Sequence, residues 1–272
     1  SNSIGDFYYE PPTDYLALCS SNLPSPEIAL PTDHFNTLLY TGTGGSGQSL
    51  TGVGFQPDMM FLKRRDAGST GWGAMDVVRG AEASSSLSKL TPNAVTAEES
   101  SGDTYDVISF DSDGFTVGEG YNLNVNVSSG TYATWNWKAG GTAVSNTDGT
   151  ITSSVSANTT AGFSIVSYTG DADNTSTVGH GLGVIPDLII IKKRSGTGDW
   201  IVGSTSLTSS AAYNLDLNLA DAEQSNVSYF TTAATASVFY PGDGGATNGS
   251  AGTYIAYCFH SVEGYSKVGS YE

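Results

Sequence analysis

Phe35-Asn36-Thr37-Leu38-Leu39-Tyr40-Thr41-Gly42 begins a pattern that the chain starts again at Phe163-Ser164-Ile165-Val166-Ser167-Tyr168-Thr169-Gly170. Two further motifs recur in the same order. They are an apolar run that ends in three basic residues, at 54–65 and 183–194, and an aromatic run after Gly-Thr, at 130–137 and 252–259. Three ordered matches indicate a duplication. The distance between the copies is roughly that of a domain, which predicts two tandem homologous domains rather than an array of short repeats.

The composition predicts an all-β protein. Of the 272 residues, 38% are hydrophobic, only 14% are charged and 34 are glycines. Glycine together with Ser, Thr, Asn and Asp supplies the many turns between short strands. The predicted fold is therefore two tandem homologous antiparallel β-sandwiches, jelly-roll-like, with an extended N-terminal arm.

Prolines and turn residues set the predicted boundaries. Residues 1–26 form the extended arm, because prolines such as Pro11, Pro12 and Pro24 prevent a continuous helix there. Residues 27–140 form the first sandwich, 141–150 a turn-rich linker, and 151–272 the second sandwich. The close of the chain, residues 265–271, resembles the start of another unit, so we expect it to pair as a strand with the second domain or with a neighbouring subunit. The whole is expected to be a segment of a longer protein or an assembly subunit.

Local signals support strands more than helices. Asp113-Gly114 lies between two runs rich in β-branched and aromatic residues, which predicts a hairpin. Residues 77–90 and 211–224 are each expected to hold a short helix or a turn. Both basic triplets, 63–65 and 192–194, follow apolar strands, and we interpret them as long side chains that shield a sheet edge.

The net charge of −17, with 27 acidic and 10 basic residues, argues against a nucleic-acid partner. Apolar stretches are too short for a membrane-spanning helix, so no membrane insertion is expected. The cysteines Cys19 and Cys258 are interpreted as buried free thiols, with a disulfide between them as the alternative.

No motif predicts a catalytic, cofactor or metal site. Residues 42–47 match GxGxxG, but no helix signal follows and the equivalent loop at 171–175 lacks the glycines. The carboxylate pairs at Asp111 and Asp113 and at Asp171 and Asp173 begin like calcium loops but lack the later ligands, which leaves an adventitious cation as the alternative. The three histidines, His34, His180 and His260, have no second ligand at zinc spacing.

Four tryptophans are the candidates for sugar binding, because flat aromatic rings pack on pyranose faces. Trp135 and Trp137 are predicted to be core residues of one strand. Trp72 and Trp200 follow the two basic triplets at equivalent positions, which favours packing over a ligand platform.

The paired motifs resemble a known repeat. The segments 40–42, 54–58, 112–118, 137–142 and 264–271 are similar to a repeat of structural proteins of marine tailed phages, notably cyanophages. The segments 7–12 and 15–19 look like the end of a concanavalin-like or SPRY-type sandwich. The resemblance carries no catalytic residue.

The resemblance implies a virion component located in a phage tail or surface appendage. We expect a non-enzymatic structural or adhesion protein, such as a tail fibre, that contributes to recognition of the host surface. Expected partners are other virion proteins, further copies of the chain, with a trimer as one arrangement, and a host glycan or protein receptor. The alternatives are a carbohydrate-binding or polysaccharide-degrading sandwich, that is, a lectin or depolymerase, and a capsid decoration protein.

Overall fold

The computed structural model describes residues 26–45, 47–68, 70–80, 87–99, 106–119 and 124–271. The predicted N-terminal arm lies almost wholly outside these residues, as does Cys19. The described part is all-β and its sheets are antiparallel, as the composition predicts. A single 3-10 turn at Pro31–Asp33 precedes the first strand, and the described residues contain no α-helix.

A four-stranded sheet lies near the start of the chain. Its strands, in spatial order, are β1 (Phe35–Thr41), β7 (Thr131–Trp137), β3 (Met59–Arg64) and β4 (Trp72–Asp76). The strand that comes last in sequence, β7, is therefore central and pairs with both β1 and β3.

A three-stranded sheet covers one face of the four-stranded sheet. It consists of β2 (Gln48–Thr51), β6 (Gly114–Val117) and β5 (Val107–Asp111), and the hairpin predicted at Asp113-Gly114 is confirmed. Side chains from both sheets share one apolar core, including Tyr40, Met60, Phe115, Val117 and Tyr132. Apolar residues that alternate along each strand build this core, because successive side chains point to opposite faces.

An eight-stranded sheet follows. Its spatial order is β15 (Gln224–Ser225), β14 (Tyr213–Asp216), β13 (Trp200–Ser204), β12 (Leu188–Lys193), β17 (Thr253–Phe259), β10 (Phe163–Thr169), β9 (Ser153–Asn158) and β8 (Val144–Asn146). A two-stranded ribbon, β11 (Val178–Gly179) and β16 (Val238–Phe239), shares a core with one face of this sheet.

The order β1-β7-β3-β4 of the first sheet recurs as β10-β17-β12-β13 in the eight-stranded sheet. The registers also correspond. Phe35 lies opposite Trp137 as Phe163 lies opposite Phe259, and Tyr40 stacks on Tyr132 with ring centroids 4.7 Å apart. The equivalent stack, Tyr168 on Tyr254, has a 5.2 Å separation.

The remaining faces of these two sheets pack against each other. This third core joins Met59, Phe61 and Ala74 of the four-stranded sheet to Ile165, Ile190, Val202 and Tyr257 of the eight-stranded sheet. Trp137 lies at the junction, with its ring 6.5 Å from Phe163 and 6.5 Å from Phe259. Aromatic pairs at such separations add to the free energy gained from apolar burial.

Several local expectations differ from the structure. The basic triplets do not shield sheet edges, because β3 and β12 are both interior strands. Residues 211–224 contain β14 rather than a helix, since Leu215 pairs with Val202 of the neighbouring strand. The connector 141–150 contains β8, which pairs with β9. Residues 265–271 form no strand within the chain; Ser266 makes only an isolated bridge with Val262.

Candidate functional site

A loop at the edge of the four-stranded sheet binds to the eight-stranded sheet through hydrogen bonds and an ion pair. We call residues 91–99 the docking segment. Leu90 bridges to Ala74 of β4, and Lys89 bridges to Glu99, so both ends of the segment are fixed to its own sheet. Its middle contacts the other sheet and holds the two together.

Main-chain carbonyls of the docking segment accept hydrogen bonds from the eight-stranded sheet. The indole Nε1 of Trp200 donates to the Thr91 carbonyl at 3.1 Å, and Lys192 Nζ donates to the Val95 carbonyl at 3.2 Å. The Gly198 amide also donates to the Val95 carbonyl, at 2.9 Å. Both Trp200 and Lys192 are fully buried, so these bonds satisfy donors that water does not reach.

Glu98 forms the strongest polar contact of the docking segment. Arg194 Nε and Nη2 each donate to its carboxylate at 2.8 Å, which is the two-pronged geometry that planar guanidinium groups favour. Arg79 Nη1 approaches the same carboxylate at 3.3 Å. Glu98 therefore binds Arg79, which follows β4 of the four-stranded sheet, and also Arg194, which follows β12 of the eight-stranded sheet.

A buried charged group lies beside this contact. Asp76 Oδ2 accepts a hydrogen bond from Arg79 Nε at 2.6 Å and one from the Tyr257 hydroxyl at 2.7 Å. Burial opposes the charge of Arg79, but attraction to Asp76, Tyr257 and Glu98 outweighs it and raises the pKa of that guanidinium. Burial raises the pKa of the Tyr257 hydroxyl well above its usual value. Both groups keep their protons at neutral pH, which preserves the network.

Lys192 is a cation inside the protein. Burial lowers the pKa of its ammonium group to about 8. Its Nζ donates to the Gly198 carbonyl at 2.7 Å in addition to Val95. Perturbed ionisable groups mark active sites in some proteins and structural networks in others. Here the carbonyls and carboxylates around Lys192, Arg79 and Arg194 belong to the junction between the sheets.

The four tryptophans occupy different environments. Trp200 is fully buried under the docking segment, and Trp137 lies between the two sheets. Trp72 and Trp135 are half-buried, with ring centroids 5.3 Å apart and planes tilted by 33°. Lys63 Nζ lies 5.9 Å above the Trp72 ring, at cation–π distance. This aromatic pair is accessible on the described surface.

The remaining sequence candidates are engaged in local structure. The Asp113 carboxylate accepts from the Gly54 amide at 2.6 Å, and the Asp171 carboxylate accepts from Ser176 Oγ at 2.6 Å. His180 is buried and bonded through both ring nitrogens. Cys258 is a buried free thiol whose pKa burial raises to about 12. Within the described ranges, no three His, Cys, Asp or Glu side chains come together as metal ligands.

A cavity of about 220 Å³ lies between the ribbon and the eight-stranded sheet. Its lining is mainly apolar, with Ile185, Ile189, Phe230, Phe239 and Tyr240 among the residues around it. Such a lining suits a small apolar group.

Sequence reasoning missed Asp76, Arg79, Glu98 and Arg194 as a group, because Glu98 and Arg194 are far along the chain from Asp76 and Arg79. A usable signal did exist. Glu98 follows Asn93 at the same spacing as Glu223 follows Asn218. Each asparagine comes after a strand that begins with a tryptophan, β4 at Trp72 and β13 at Trp200.

Comparison with known proteins gives one result. A family model described as "Domain of unknown function (DUF7483)" matches residues 30–272. No curated protein and no solved structure matches the chain. In the described ranges, no helix has the length and apolar character needed to cross a membrane.

Proposed function

We propose that this chain, which belongs to the DUF7483 family, is a non-enzymatic structural and adhesion component of a bacteriophage virion. In this proposal it forms part of a tail fibre or other tail appendage and contributes to recognition of the host surface. The resemblance of its paired motifs to phage structural repeats supports the assignment to a virion.

The finer architecture that we propose is two tandem homologous β-sandwiches, preceded by an extended N-terminal arm at residues 1–26. Equivalent hydrogen bonds in the two halves support the duplication. The Tyr40 hydroxyl donates to the Val125 carbonyl at 2.7 Å, and the Tyr168 hydroxyl donates to the Thr247 carbonyl at 2.6 Å.

The same loops contain a second equivalent pair of bonds. Asn126 Oδ1 accepts from the Thr43 amide at 2.8 Å, and Asn248 Oδ1 accepts from the Asp171 amide at 3.0 Å. Such long-range correspondence in main-chain and side-chain partners is expected when one unit has been copied.

The single observation that carries the proposed role is the set of buried ion pairs at the junction between the two sheets. Arg79 and Arg194, from the two sides of the junction, both bind the Glu98 carboxylate beside an apolar core that both sheets share. This arrangement holds the sheets in one relative orientation. A part of a particle that bears mechanical load during attachment requires that rigidity, and it requires no reactive group.

The proposed partners are other virion proteins, further copies of the chain, including a trimeric arrangement, and a glycan or protein receptor on the host. The acidic charge of −17 supports protein or glycan partners over nucleic acid.

Particle composition tests this function. Virions are purified on a density gradient from a culture infected with the phage that encodes the chain, and its peptides are quantified against those of the major capsid protein. We expect a fixed ratio across the particle peak and antibody labelling at the tail. Recovery only from the soluble lysate contradicts the proposal, and label over the head identifies a capsid decoration protein instead.

A carbohydrate-binding or polysaccharide-degrading protein is the second candidate, and the half-buried pair of Trp72 and Trp135 favours it. A glycan array with the native protein and a Trp72→Ala variant tests binding, and a reducing-sugar assay on host polysaccharide tests cleavage. Binding that depends on Trp72 supports a lectin, and saturable cleavage supports a depolymerase.

A further inference from the structure

On the eight-stranded sheet the docking segment covers the end of the face around Lys192 and Trp200, whereas among the described residues no segment makes the equivalent contacts at the corresponding end of the four-stranded sheet, around Lys63 and Trp72. Lys63 pairs with Trp72 in the register in which Lys192 pairs with Trp200. The Arg65 amide donates to the Thr131 carbonyl at 2.8 Å, as the Arg194 amide donates to the Thr253 carbonyl at 2.8 Å. Trp72, Lys63 and Arg65 are therefore the counterparts of the three residues that hold the docking segment. We call these three residues the open face.

The side-chain donors of the open face lack the partners that their counterparts have. The Trp72 indole nitrogen has no hydrogen-bond acceptor among the described residues, and Lys63 Nζ donates only to the Thr70 carbonyl there. Arg65 is exposed and forms no ion pair within the described ranges. In the same cross-strand row, Leu39 is 63% exposed, which leaves an apolar surface beside these cations.

The chain also contains a second segment of the docking type. Residues 216–224, which we call the free segment, join β14 to β15. Asn214 pairs with Gln224 at its base, just as Lys89 bridges to Glu99. The Asn218 side chain accepts from the Trp200 amide at 2.9 Å, as the Asn93 side chain accepts from the Trp72 amide at 3.1 Å.

The turn at the start of each segment is also the same. Leu219 N donates to the Asp216 carbonyl at 3.0 Å, and Ala94 N donates to the Thr91 carbonyl at 3.0 Å. This alignment puts Glu223 at the position of Glu98 and Ala220 at the position of Val95.

The free segment has the properties of an unoccupied docking element. Leu217 and Leu219 are 45% and 47% exposed. The Glu223 carboxylate accepts from the Thr208 amide at 3.0 Å and from the Thr208 hydroxyl, so its own sheet anchors it, as Arg79 anchors Glu98. A carboxylate has further lone pairs and can accept from an arginine at the same time.

We propose that the free segment of one copy docks on the open face of a second copy and repeats, between chains, the contact that joins the two sheets within a chain. Glu223 pairs with Arg65, the Trp72 indole donates to the Asp216 carbonyl, and Lys63 donates to the Ala220 carbonyl. The occupant is a second copy because each chain carries both complementary halves, acidic on the segment and basic on the face. This inference rests on the proposed structural role and names the surfaces that carry it out.

The contact is head-to-tail, since the two surfaces differ. Repeated head-to-tail contacts close into a ring or extend into a filament, and they do not produce a twofold-symmetric dimer. A ring of three chains is one closed outcome.

Charge reversal tests the inference on the full chain by sedimentation velocity over a concentration series. Arg65→Glu and Glu223→Arg each place like charges opposite one another, and we expect each to weaken self-association by roughly 10-fold or more. The double variant Arg65→Glu/Glu223→Arg restores an opposite pair between copies, so association is expected to recover. Mixing the two single variants is expected to restore it as well.

Lys267→Glu and Glu263→Arg are the matched controls, because both residues are exposed and lie outside the two surfaces. Circular dichroism establishes that all variants remain folded. A native protein that stays monomeric, or association that neither single variant weakens, overturns the inference. A monomeric native protein would fit other occupants of the open face, namely a glycan bound at Trp72 or residues 1–25 of the same chain. Virion incorporation is measured separately, so a monomeric virion protein refutes the docking contact and leaves the proposed function standing.

Discussion

Arg194 and Glu98 form two parallel 2.8 Å hydrogen bonds although they are separated by 96 positions in the sequence. The pair joins a loop of one sheet to the end of a strand in another. Both side chains are mostly buried, with 19% and 13% exposure, so water screens their attraction only weakly.

We expect Glu98→Gln to lower the free energy of unfolding by about 2 kcal/mol. Glutamine retains the shape of Glu98 but removes the negative charge that Arg79 and Arg194 share, which leaves buried positive charge less compensated. Urea denaturation measures the change. Asp66→Asn is the control, because it weakens the more exposed Arg64–Asp66 pair, for which a much smaller loss is expected. Equal losses in the two variants would contradict the importance of the buried contact.

We expect Tyr257→Phe to destabilise the protein by about 1–2 kcal/mol, because Asp76 loses a buried hydrogen bond of 2.7 Å while the ring packing is retained. Thermal denaturation followed by circular dichroism measures the effect. Tyr271→Phe removes a hydroxyl from a side chain that is 98% exposed and should leave the melting temperature unchanged. A neutral Tyr257→Phe would show that the hydroxyl is dispensable to the network.

The lowered pKa of Lys192 predicts that the protein becomes more stable as the pH rises. Its folded-state pKa is about 8, below the ordinary value of 10.5, so the unfolded chain binds more protons and unfolding becomes less favourable as protons are removed. The free energy of unfolding is expected to rise by about 1 kcal/mol between pH 8 and 9. Lys192→Met should flatten this slope in urea denaturation at the two pH values. An unchanged slope in Lys192→Met would contradict the assignment.

The lowered pKa of His180 predicts that the protein becomes less stable in mild acid. Its Nε2 donates to the Thr235 carbonyl at 3.1 Å while Nδ1 accepts from the Leu182 amide at 3.2 Å, which fixes the neutral ring. Burial lowers the pKa of this imidazole, so the unfolded chain takes up a proton near pH 6.5 that the folded chain does not. Stability should therefore fall from pH 7 to pH 5.5. His180→Gln should reduce that fall when the free energy of unfolding is measured by urea denaturation at both pH values, and an unchanged fall would contradict the role of His180.

Local signals in the sequence predicted those elements whose partners are close along the chain. The β5–β6 hairpin was predicted from Asp113-Gly114, and it forms with Ser112 and Asp113 as its two loop residues and Gly114 as the first residue of β6. Residues 211–224 were expected to hold a short helix or a turn, and they hold turns at 211–212 and 217–218 with the strand Tyr213–Asp216 between them. Pairing of Leu215 with Val202 decides its conformation, and a local propensity does not contain that information.

The position of a residue within a sheet also could not be predicted from its neighbours in the sequence. Lys192 follows three isoleucines and reads as the exposed end of a strand, yet it is fully buried because the docking segment covers it. The junction residues Asp76 and Tyr257 come from distant parts of the chain and match no motif of adjacent residues. The anchor motifs, in contrast, were visible because each of them lies within a short run of sequence.

The central position of β17 has a consequence for synthesis on the ribosome. This strand, Thr253–Phe259, separates β10 from β12, so both neighbours are made long before the strand that pairs with them. During translation each of them presents an unpaired edge, and loop closure over such distances is slow. The eight-stranded sheet can therefore close only after Thr253–Phe259 has left the exit tunnel, and a ribosome that stalls before residue 253 displays two open edges to other nascent chains.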